Sequence, residues 1–338
     1  MADSVSERAG QARIERHDAD EPRRPGSLVR VNLVVPCYNE EAVLPDTVAQ
    51  LTALMDRLQE TKSAAPDSAI TFIDDGSRDT TWELITAYHE KDDRVRGLKL
   101  SRNRGHQNAL LAGLLLGDGD VLISLDADLQ DDLEAIPRML DAWRAGAEIV
   151  YGVRSRRDVD TPFKRITARS YYRLLTAFGI DAVPDHADFR LMSRRAIEAL
   201  AGFGEVNLFL RGLVPMLGFD TAIVHYERKA RMAGETHYPL RRMIALAMDG
   251  IMAFSSLPLQ VIFPAGIFFS MLSVGLGVWA LVTKLVNPAA VPGWASIVVP
   301  MYFLGGLQLL ALGVIAGYLS RIYAETKKRP RFIIEERL

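Results

Sequence analysis

Four carboxylates stand close together in the segment 121–132, VLISLDADLQDD, directly after an apolar run. Like charges at this spacing repel one another and raise one another's pKa unless a cation or hydrogen bonds offset the repulsion. Side chains of an extended chain alternate between two faces, so Asp126 and Asp128 should point to one side. Gln130 follows on that side if the extended conformation continues. The carboxylates are Asp126, Asp128, Asp131 and Asp132.

These oxygen ligands predict a site for a hard cation. Two carboxylates and an amide oxygen, from Asp126, Asp128 and Gln130, suit Mg²⁺ or Mn²⁺, which keep several waters and bind substrate phosphates. Such a cation can neutralise the charge that develops on a leaving diphosphate. For Asp131 and Asp132 we favour a structural role, because acidic residues stabilise the first turn of a helix.

Strands and helices alternate along residues 29–154 and must position these side chains. Strands joined by helical crossovers form a mostly parallel sheet covered on both faces, so an α/β fold is predicted. Ligands of such sheets bind beyond the carboxyl ends of the strands. The polar clusters YNEE, DDGSRD, SRNRGHQ and DADLQD each follow a strand at that end. Neither G-x-G-x-x-G nor the P-loop pattern occurs, so the dinucleotide and P-loop classes lack support.

Composition excludes other classes of protein. The 338 residues carry a formal net charge of −2, which argues against nucleic acid as a partner. The single cysteine, Cys37, excludes an intramolecular disulfide and lies in an apolar run, so we interpret it as a buried packing residue. Residues 1–27 are charged and have no apolar core, which indicates a disordered tail rather than a signal peptide.

Two long apolar segments predict transmembrane helices. Residues 259–286 contain one charge, Lys284, and residues 295–320 contain none, and each exceeds the roughly 20 residues that cross a bilayer core. The connection between them lacks Lys and Arg, whereas five basic residues follow the second span. The positive-inside rule therefore predicts a multi-pass protein of the inner membrane with both termini and the large domain in the cytoplasm. Residues 238–260 predict an interfacial amphipathic helix, with an ordinary domain helix as the alternative.

The ordered motifs resemble those of a known enzyme family. VVPCYNEE, IDDGSRDTT, LSRNRGHQNALLAGL and DADLQD, in this order and spacing, resemble family 2 glycosyltransferases with a GT-A fold. Together with ADFRLMSRRAIEAL, RMAGETHYPLRRM and the two spans, they resemble the polyprenyl-phosphate glycosyltransferases, which include bactoprenol glucosyltransferases and dolichol-phosphate mannose synthases. Composition, hydropathy and this resemblance together predict a disordered tail (1–27), a GT-A nucleotide-sugar-binding domain (28–230), juxtamembrane amphipathic helices (231–258), two transmembrane helices (259–320) and a basic cytoplasmic tail (321–338).

The resemblance also implies roles for single residues. It places Asp126 against the nucleotide, with Asp128 and Gln130 on the metal. Asp188 matches an acidic residue required in the bactoprenol branch. SRNRGHQ replaces the commoner SRNFGKE, and GETHY replaces GESKY, so these loops depart from the family pattern. The residues implied to line the nucleotide pocket are Pro36, Tyr38, Glu40 and Asp75, and the arginines implied near the donor diphosphate and the acceptor phosphate are Arg154, Arg165 and Arg231.

The resemblance implies an inverting glycosyltransferase that moves a sugar from a nucleotide sugar, UDP-glucose first, to polyprenyl (undecaprenyl) phosphate for cell-envelope glycan modification. A phosphate monoester has a second pKa of about 6, so the acceptor ionises itself and needs no base such as His106 or His186. Transfer of mannose from GDP-mannose is the first alternative. A processive polysaccharide synthase would need a Q-x-x-R-W motif and more spans, and a non-catalytic membrane-bound binding module would tolerate loss of the acidic residues. A homo-tetramer is left open.

Overall fold

The computed structural model describes residues 28–154, 186–205, 210–227, 257–286 and 294–338. Eight strands of this part form one sheet: β1 (Val31–Cys37), β2 (Ala69–Asp74), β3 (Val95–Leu100), β4 (Val121–Ser124), β5 (Ile149–Arg154), β6 (His186–Ser193), β7 (Thr221–Tyr226) and β8 (Ile334–Arg337). The helices described are α1 (Leu44–Glu60), α2 (Thr81–His89), α3 (His106–Leu116), α4 (Ala135–Arg144), α5 (Arg194–Ala201), α6 (Leu210–Met216), α7 (Leu257–Val286) and α8 (Trp294–Thr326).

The sheet has the strand order β7-β5-β6-β4-β1-β2-β3-β8. The central pairs β4–β1, β1–β2 and β2–β3 are parallel, as the alternation of strands and helices predicted. Strand β6 runs antiparallel between β4 and β5, which makes the sheet mixed. Every residue of β1, β2 and β4 is buried, because helices cover both faces. Cys37 is buried at the end of β1, as its apolar context predicted.

Helix α3 lies very close to the centre of the sheet. A Cβ atom built on Gly113 would lie 2.4 Å from Val34 Cγ1 and 2.5 Å from Ile73 Cδ1, so a larger residue at this position would push the helix away from β1 and β2. Helix α1 buries the stripe formed by Leu44, Leu51 and Leu58 among other residues. This packing fixes the first residues of α3, which follow the SRNRGHQ loop, relative to the carboxyl ends of the strands.

The acidic segment does not continue β4. The strand ends at Ser124, and a turn follows in which the N–H of Leu129 donates to the carbonyl oxygen of Asp126 at 3.2 Å. Leu129 has a φ of 44°, in the left-handed region. The prediction that strand alternation puts Asp126 and Asp128 on one side was therefore wrong in its premise: a turn, and not a strand, carries both carboxylates.

The helix-capping interpretation of Asp131 was also wrong. Helix α4 begins at Ala135 and its N-cap is Glu134. Asp131 is 2% exposed and accepts a hydrogen bond from the hydroxyl of Tyr226, so it belongs to the interior. Asp132 does stay near the helix start, where its Oδ1 accepts a hydrogen bond from the Glu134 N–H at 3.2 Å.

The C-terminal part contains one candidate membrane span among the described residues. Phe303–Thr326, the main part of α8, has 24 residues and a mean hydropathy of 1.7, and is long and apolar enough to cross a bilayer. Within α7, the apolar stretch Leu259–Phe269 is shorter than a span. Of the two predicted transmembrane helices, the structure therefore supports one, and the other remains a prediction.

The last residues return to the sheet. Strand β8 pairs antiparallel with the edge strand β3, and the N–H of Leu338 donates to the carbonyl of Gly97 at 2.9 Å. The indole N–H of Trp82 donates to Glu336 at 3.0 Å. Residues 321–338 were predicted to be a basic cytoplasmic tail. Within this range α8 continues to Thr326 and β8 extends the sheet, because β3 offers an edge with unpaired backbone groups.

Candidate active site

The acidic turn, residues 126–131, lies beyond the end of β4 and is held from both sides. The N–H of Leu125 donates to Val34 at 3.0 Å, and the hydroxyl of Thr47 donates to the carbonyl of Ala127 at 2.6 Å. Within the turn, the side-chain amide of Gln130 donates to the carboxylate of Asp128. Asp128 and Gln130 therefore lie together although the extended conformation on which the prediction relied is absent, and their role as metal ligands stays a prediction.

Charge repulsion is present in the acidic turn. The pKa of Asp126 is raised to about 6: burial is the largest cause, the nearby His106 lowers the pKa, and the carboxylates of Asp131, Asp188 and Asp128 raise it. Burial, followed by the charges of Asp128, Asp79 and Asp126, also raises the pKa of Glu40. Glu40 therefore lies within electrostatic reach of the turn, although it comes from the loop after β1.

Interlocking loops position the residues predicted to line the nucleotide pocket. The side-chain oxygen of Asn39 accepts from the N–H of Arg78 at 2.8 Å, and the N–H of Glu40 donates to the Thr81 hydroxyl at 2.9 Å. These contacts join YNEE to DDGSRD at the carboxyl edge of the sheet. Pro36 is buried within β1, whereas Tyr38, just past its end, is 41% exposed and available to a ligand.

Asp75 holds a loop. Its two carboxylate oxygens accept from the N–H groups of Arg104 at 2.6 Å and Gly105 at 2.8 Å, and it is 2% exposed. Burial raises its pKa and the two N–H donors offset part of that rise. The neighbouring Gly76 has a φ of +69°, and a Cβ there would lie 2.7 Å from the backbone of Arg102. The geometry gives Asp75 a positioning role, and its predicted contact with the nucleotide stays a prediction.

Asp188, on β6, is the centre of an ionic cluster that sequence reasoning only partly anticipated. The fully buried Arg190 donates to its Oδ1 at 2.6 Å, and Arg211 donates to both oxygens at 3.3 and 3.1 Å. The amide of Gln107 donates at 3.4 Å, and Nε2 of His106 lies 3.5 Å from Oδ2. We call these five residues the Asp188 cluster.

Asp188 is ionised and is a weak base in this arrangement. Burial alone raises its pKa, but the bond from His106 and the charges of Arg190 and Arg211 bring the pKa far below its usual range. A carboxylate with so low a pKa is a poor proton acceptor at neutral pH. In this geometry Asp188 balances the charges of Arg190 and Arg211, and its predicted part in catalysis stays a prediction.

His106 connects the Asp188 cluster to the acidic turn. Its Nε2 lies 3.7 Å from Asp126 Oδ1 as well as 3.5 Å from Asp188. Burial lowers the pKa of His106, but the bond to Asp188 and the charges of Asp126 and Asp188 outweigh that effect and leave the pKa raised. The proximity of His106 to both carboxylates comes from α3 and was not predicted.

A second cluster surrounds Arg154 at the end of β5. The Nε of Arg154 donates to the hydroxyl of Tyr226 at 3.2 Å, and its Nη2 lies 3.5 Å from Asp131 Oδ1. Burial lowers the pKa of Arg154, whereas Tyr226 and Asp131 raise it, with a net rise. Arg165 and Arg231, the other arginines predicted to contact phosphate, lie outside the described residues.

The structure thus brings Glu40, Asp126, Asp128, Asp188 and Arg154 to one edge, with their charges balanced from different elements.

Sequence reasoning missed three residues. Arg190 carried a signal, because it lies two positions after Asp188 on a strand and so shares its face. Arg211 and Tyr226 carried none, since their partners are distant along the chain. The residues missed are Arg190, Arg211 and Tyr226.

The donor chemistry of the acidic turn fits a divalent cation. No group of three or more His, Cys, Asp or Glu side chains in the described part of the chain is arranged to hold a metal ion. The turn instead offers two carboxylates and an amide, from Asp126, Asp128 and Gln130, which are the oxygen ligands of hard cations. Burial and, to a smaller extent, the neighbouring carboxylates raise the pKa of Asp126, and a bound cation would lower it.

Known proteins are similar to this chain over nearly its whole length. Residues 32–201 match the model of glycosyl transferase family 2. An uncharacterized glycosyltransferase of Bacillus subtilis (strain 168) is 47% identical over 307 residues, which cover 90% of this chain and 91% of the relative. The bactoprenol glucosyl transferase of Shigella phage SfX is 38% identical over 311 residues, 91% of this chain and 100% of the relative.

Among solved structures, the chain resembles glucosyl-3-phosphoglycerate synthase from Mycobacterium tuberculosis in complex with Mn²⁺, UDP and phosphoglyceric acid. The TM-score is 0.45 at 20% identity, over 66% of this chain and 76% of that chain.

Proposed function

Because the chain belongs to glycosyl transferase family 2, we propose that it transfers glucose from UDP-glucose to a polyprenyl phosphate at the cytoplasmic face of the membrane. One observation carries the proposal: relatives named bactoprenol glucosyl transferase align with 91% of this chain at 38% identity. The product would be a polyprenyl-phosphate sugar that supplies glucose for modification of a cell-envelope glycan.

The acidic turn would serve the donor. Asp126 would contact the nucleotide, and Asp128 and Gln130 with Asp126 would hold Mg²⁺ or Mn²⁺. When bound, the cation stabilises the negative charge on the departing nucleoside diphosphate. Tyr38, Glu40 and Asp75 surround the same edge, where the resemblance of their motifs supports a nucleotide pocket.

The acceptor would be its own nucleophile. A phosphate monoester has a second pKa of about 6, so it is largely a dianion at neutral pH and needs no protein base. The Asp188 cluster supports this mechanism, because its carboxylate is held ionised by Arg190 and Arg211 and is a poor base. Arginines such as Arg154, Arg165 and Arg231 are suited to phosphate, since the planar guanidinium forms two parallel hydrogen bonds.

The return of β8 to the sheet supports a two-span arrangement. The chain leaves the sheet at Tyr226 and joins it again at Ile334, so the residues between them cross a membrane an even number of times or not at all. A crossing by Phe303–Thr326 therefore requires a second crossing, for which 259–286 is the apolar candidate. By the positive-inside rule, the basic residues after the second span support a cytoplasmic catalytic domain.

Lipid analysis tests the proposal directly. The purified full-length protein is incubated with polyprenyl phosphate, a divalent cation and a panel of nucleotide sugars, and the product lipid is identified by mass. Polyprenyl-phosphate glucose formed from UDP-glucose is the expected product. Transfer from GDP-mannose alone would identify the enzyme as a mannosyltransferase. A long polymer would indicate a processive polysaccharide synthase, and the absence of any transfer would favour a binding module.

A further inference from the structure

A buried carboxylate, a tyrosine hydroxyl and an arginine meet where β5 and β7 end. The hydroxyl of Tyr226 donates to Asp131 Oδ1 and accepts from Nε of Arg154 at 3.2 Å, while Nη2 of Arg154 lies 3.5 Å from the same carboxylate oxygen. Asp131 and Tyr226 are each 2% exposed. The side chain of Arg154 is 31% exposed, so its guanidinium is held from the protein side and also reaches solvent.

The three residues come from elements that are far apart in the chain. Arg154 ends β5, Tyr226 ends β7, and Asp131 is the last residue of the acidic turn. Because Asp131 contacts both partners, one carboxylate fixes the position of Arg154 relative to Asp126 and Asp128. A long arginine side chain that is held at two atoms keeps its guanidinium plane in one orientation, which suits bidentate recognition of an oxyanion.

Packing alone does not call for these polar groups. The ring of Tyr226 packs edge-on against Phe189, with centroids 5.3 Å apart and an interplanar angle of 88°, and a phenylalanine would preserve that contact. Buried carboxylates and ion pairs are weak contributors to stability compared with apolar residues of the same shape. These polar groups are therefore better explained by the orientation that they give to the Arg154 guanidinium than by stability.

We propose that Tyr226 and Asp131 are positioning residues for glycosyl transfer, which hold the Arg154 guanidinium beside the acidic turn where it meets a phosphate of the donor. The proposal rests on the proposed function only in taking the donor to be a nucleotide sugar. Tyr226 and Asp131 act through Arg154 and need not touch the substrate.

A double-mutant cycle tests this dependence. Tyr226→Phe removes the hydroxyl and keeps the ring, and we expect kcat/KM to fall about tenfold, the effect of losing a hydrogen bond to a charged group. The kcat/KM of Arg154→Lys should fall at least as far, because the lysine ammonium lacks the planar, two-pronged geometry of the guanidinium. In the Arg154→Lys background, adding Tyr226→Phe should change kcat/KM by less than about twofold, since residues that act as a unit are not additive.

The controls separate positioning from folding and from substrate choice. Tyr88→Phe, in α2 and partly buried against the core, should leave kcat/KM unchanged. Loss of the buried hydrogen bond should lower the melting temperature of Tyr226→Phe by roughly 3–12 °C, so kcat/KM is compared at a temperature where both proteins are folded. Should that variant unfold, Asp131→Asn replaces it in the same cycle, where the same lack of additivity is expected.

Full additivity of the two substitutions, or wild-type kcat/KM in Tyr226→Phe, overturns the positioning role. If the wild type transfers no sugar from UDP-glucose, the proposed donor is refuted and the positioning role is not. The double-mutant cycle is then run with whichever nucleotide sugar of the panel is active. With no active donor, the same non-additivity is sought in the calorimetric affinity for UDP and GDP, and additive affinities overturn the proposal.

Discussion

Replacing Asp188 by Asn tests whether this residue balances charge or takes part in the chemistry. The substitution keeps the size and one acceptor oxygen but removes the negative charge that faces Arg190, Arg211 and His106. Arg190 is fully buried and donates to Asp188 at 2.6 Å, so it loses the counter-charge of a buried ion pair. Breaking such a pair from one side costs about 3–5 kcal/mol.

We expect the lower end of that range, because the asparagine oxygen still accepts a hydrogen bond. A loss of about 3 kcal/mol is a large share of a typical stability of about 5–15 kcal/mol. For a catalytic domain of this size it corresponds to a fall in Tm of roughly 6–12 °C. Thermal unfolding of the detergent-solubilised protein measures the shift, and transfer activity is measured on the same samples at a temperature where both proteins are folded.

Two further variants make the outcome specific. Asp141→Asn removes an exposed partner of Arg144 at 3.2 Å and should cost less than about 0.5 kcal/mol. Adding Arg190→Met to Asp188→Asn removes the buried unpaired cation and should recover part of the lost stability. An Asp188→Asn protein that melts like the wild type and yet transfers no sugar would refute the reasoning, because the carboxylate would then act on substrate.

The dependence on pH has a defined sign. The folded-state pKa of Asp188 lies below the value of about 3.9 expected in the unfolded chain. Its ionised form therefore stabilises the fold at every pH above about 4, and this contribution declines as the pH falls below that value. The difference in Tm between the wild type and Asp188→Asn should widen as the pH falls from 7 to about 6, because His106 takes up a proton beside Asp188, and it should shrink toward pH 3.

Three further predictions concern the metal, the acceptor and the topology. Asp128→Ala should abolish transfer with little change in Tm, because the turn loses a ligand at its surface, and EDTA should inhibit the wild type; full activity in excess EDTA would contradict the metal assignment. Arg231→Lys should lose activity despite keeping its charge, and Arg231→Ala should lose more, with a larger rise in KM for polyprenyl phosphate than for nucleotide sugar; equal changes in both would remove Arg231 from the acceptor site. A reporter that is active only in the cytosol should work at the C-terminus, while a tag near Pro292 should be reached from outside; the reverse pattern would overturn the orientation.

Local patterns were sufficient to predict the elements that carry the site. The alternation of strands and helices predicted over residues 29–154 is confirmed by β1 to β5 and α1 to α4, because each buries an apolar run or stripe that is visible in the sequence. The carboxyl-edge location of the polar clusters followed from the parallel sheet. The error at β4 arose because nothing local showed that the strand ends at Ser124, before Asp126.

Contacts between distant segments could not be predicted in the same way. Asp131 looked like a helix cap, since acidic residues before a helix usually are, and only the fold brings Tyr226 to it from 95 residues away. Strand β8 is short and charged, with the sequence IEER, and lacks the alternation of a typical strand. It forms because β3 presents an open edge, which is a property of the assembled sheet.

The sequence by itself therefore determined the family, the α/β class and the acids at the sheet edge, because these depend on residue type and short-range spacing. The tertiary structure alone decided how the charges are balanced. Asp188 is neutralised by Arg190 from its own strand, by Arg211 from α6 and by His106 from α3, and Asp131 meets Tyr226 from β7. The energy of a buried charge depends on every group within a few ångströms, whatever its place in the chain, so it is settled only when the chain has folded.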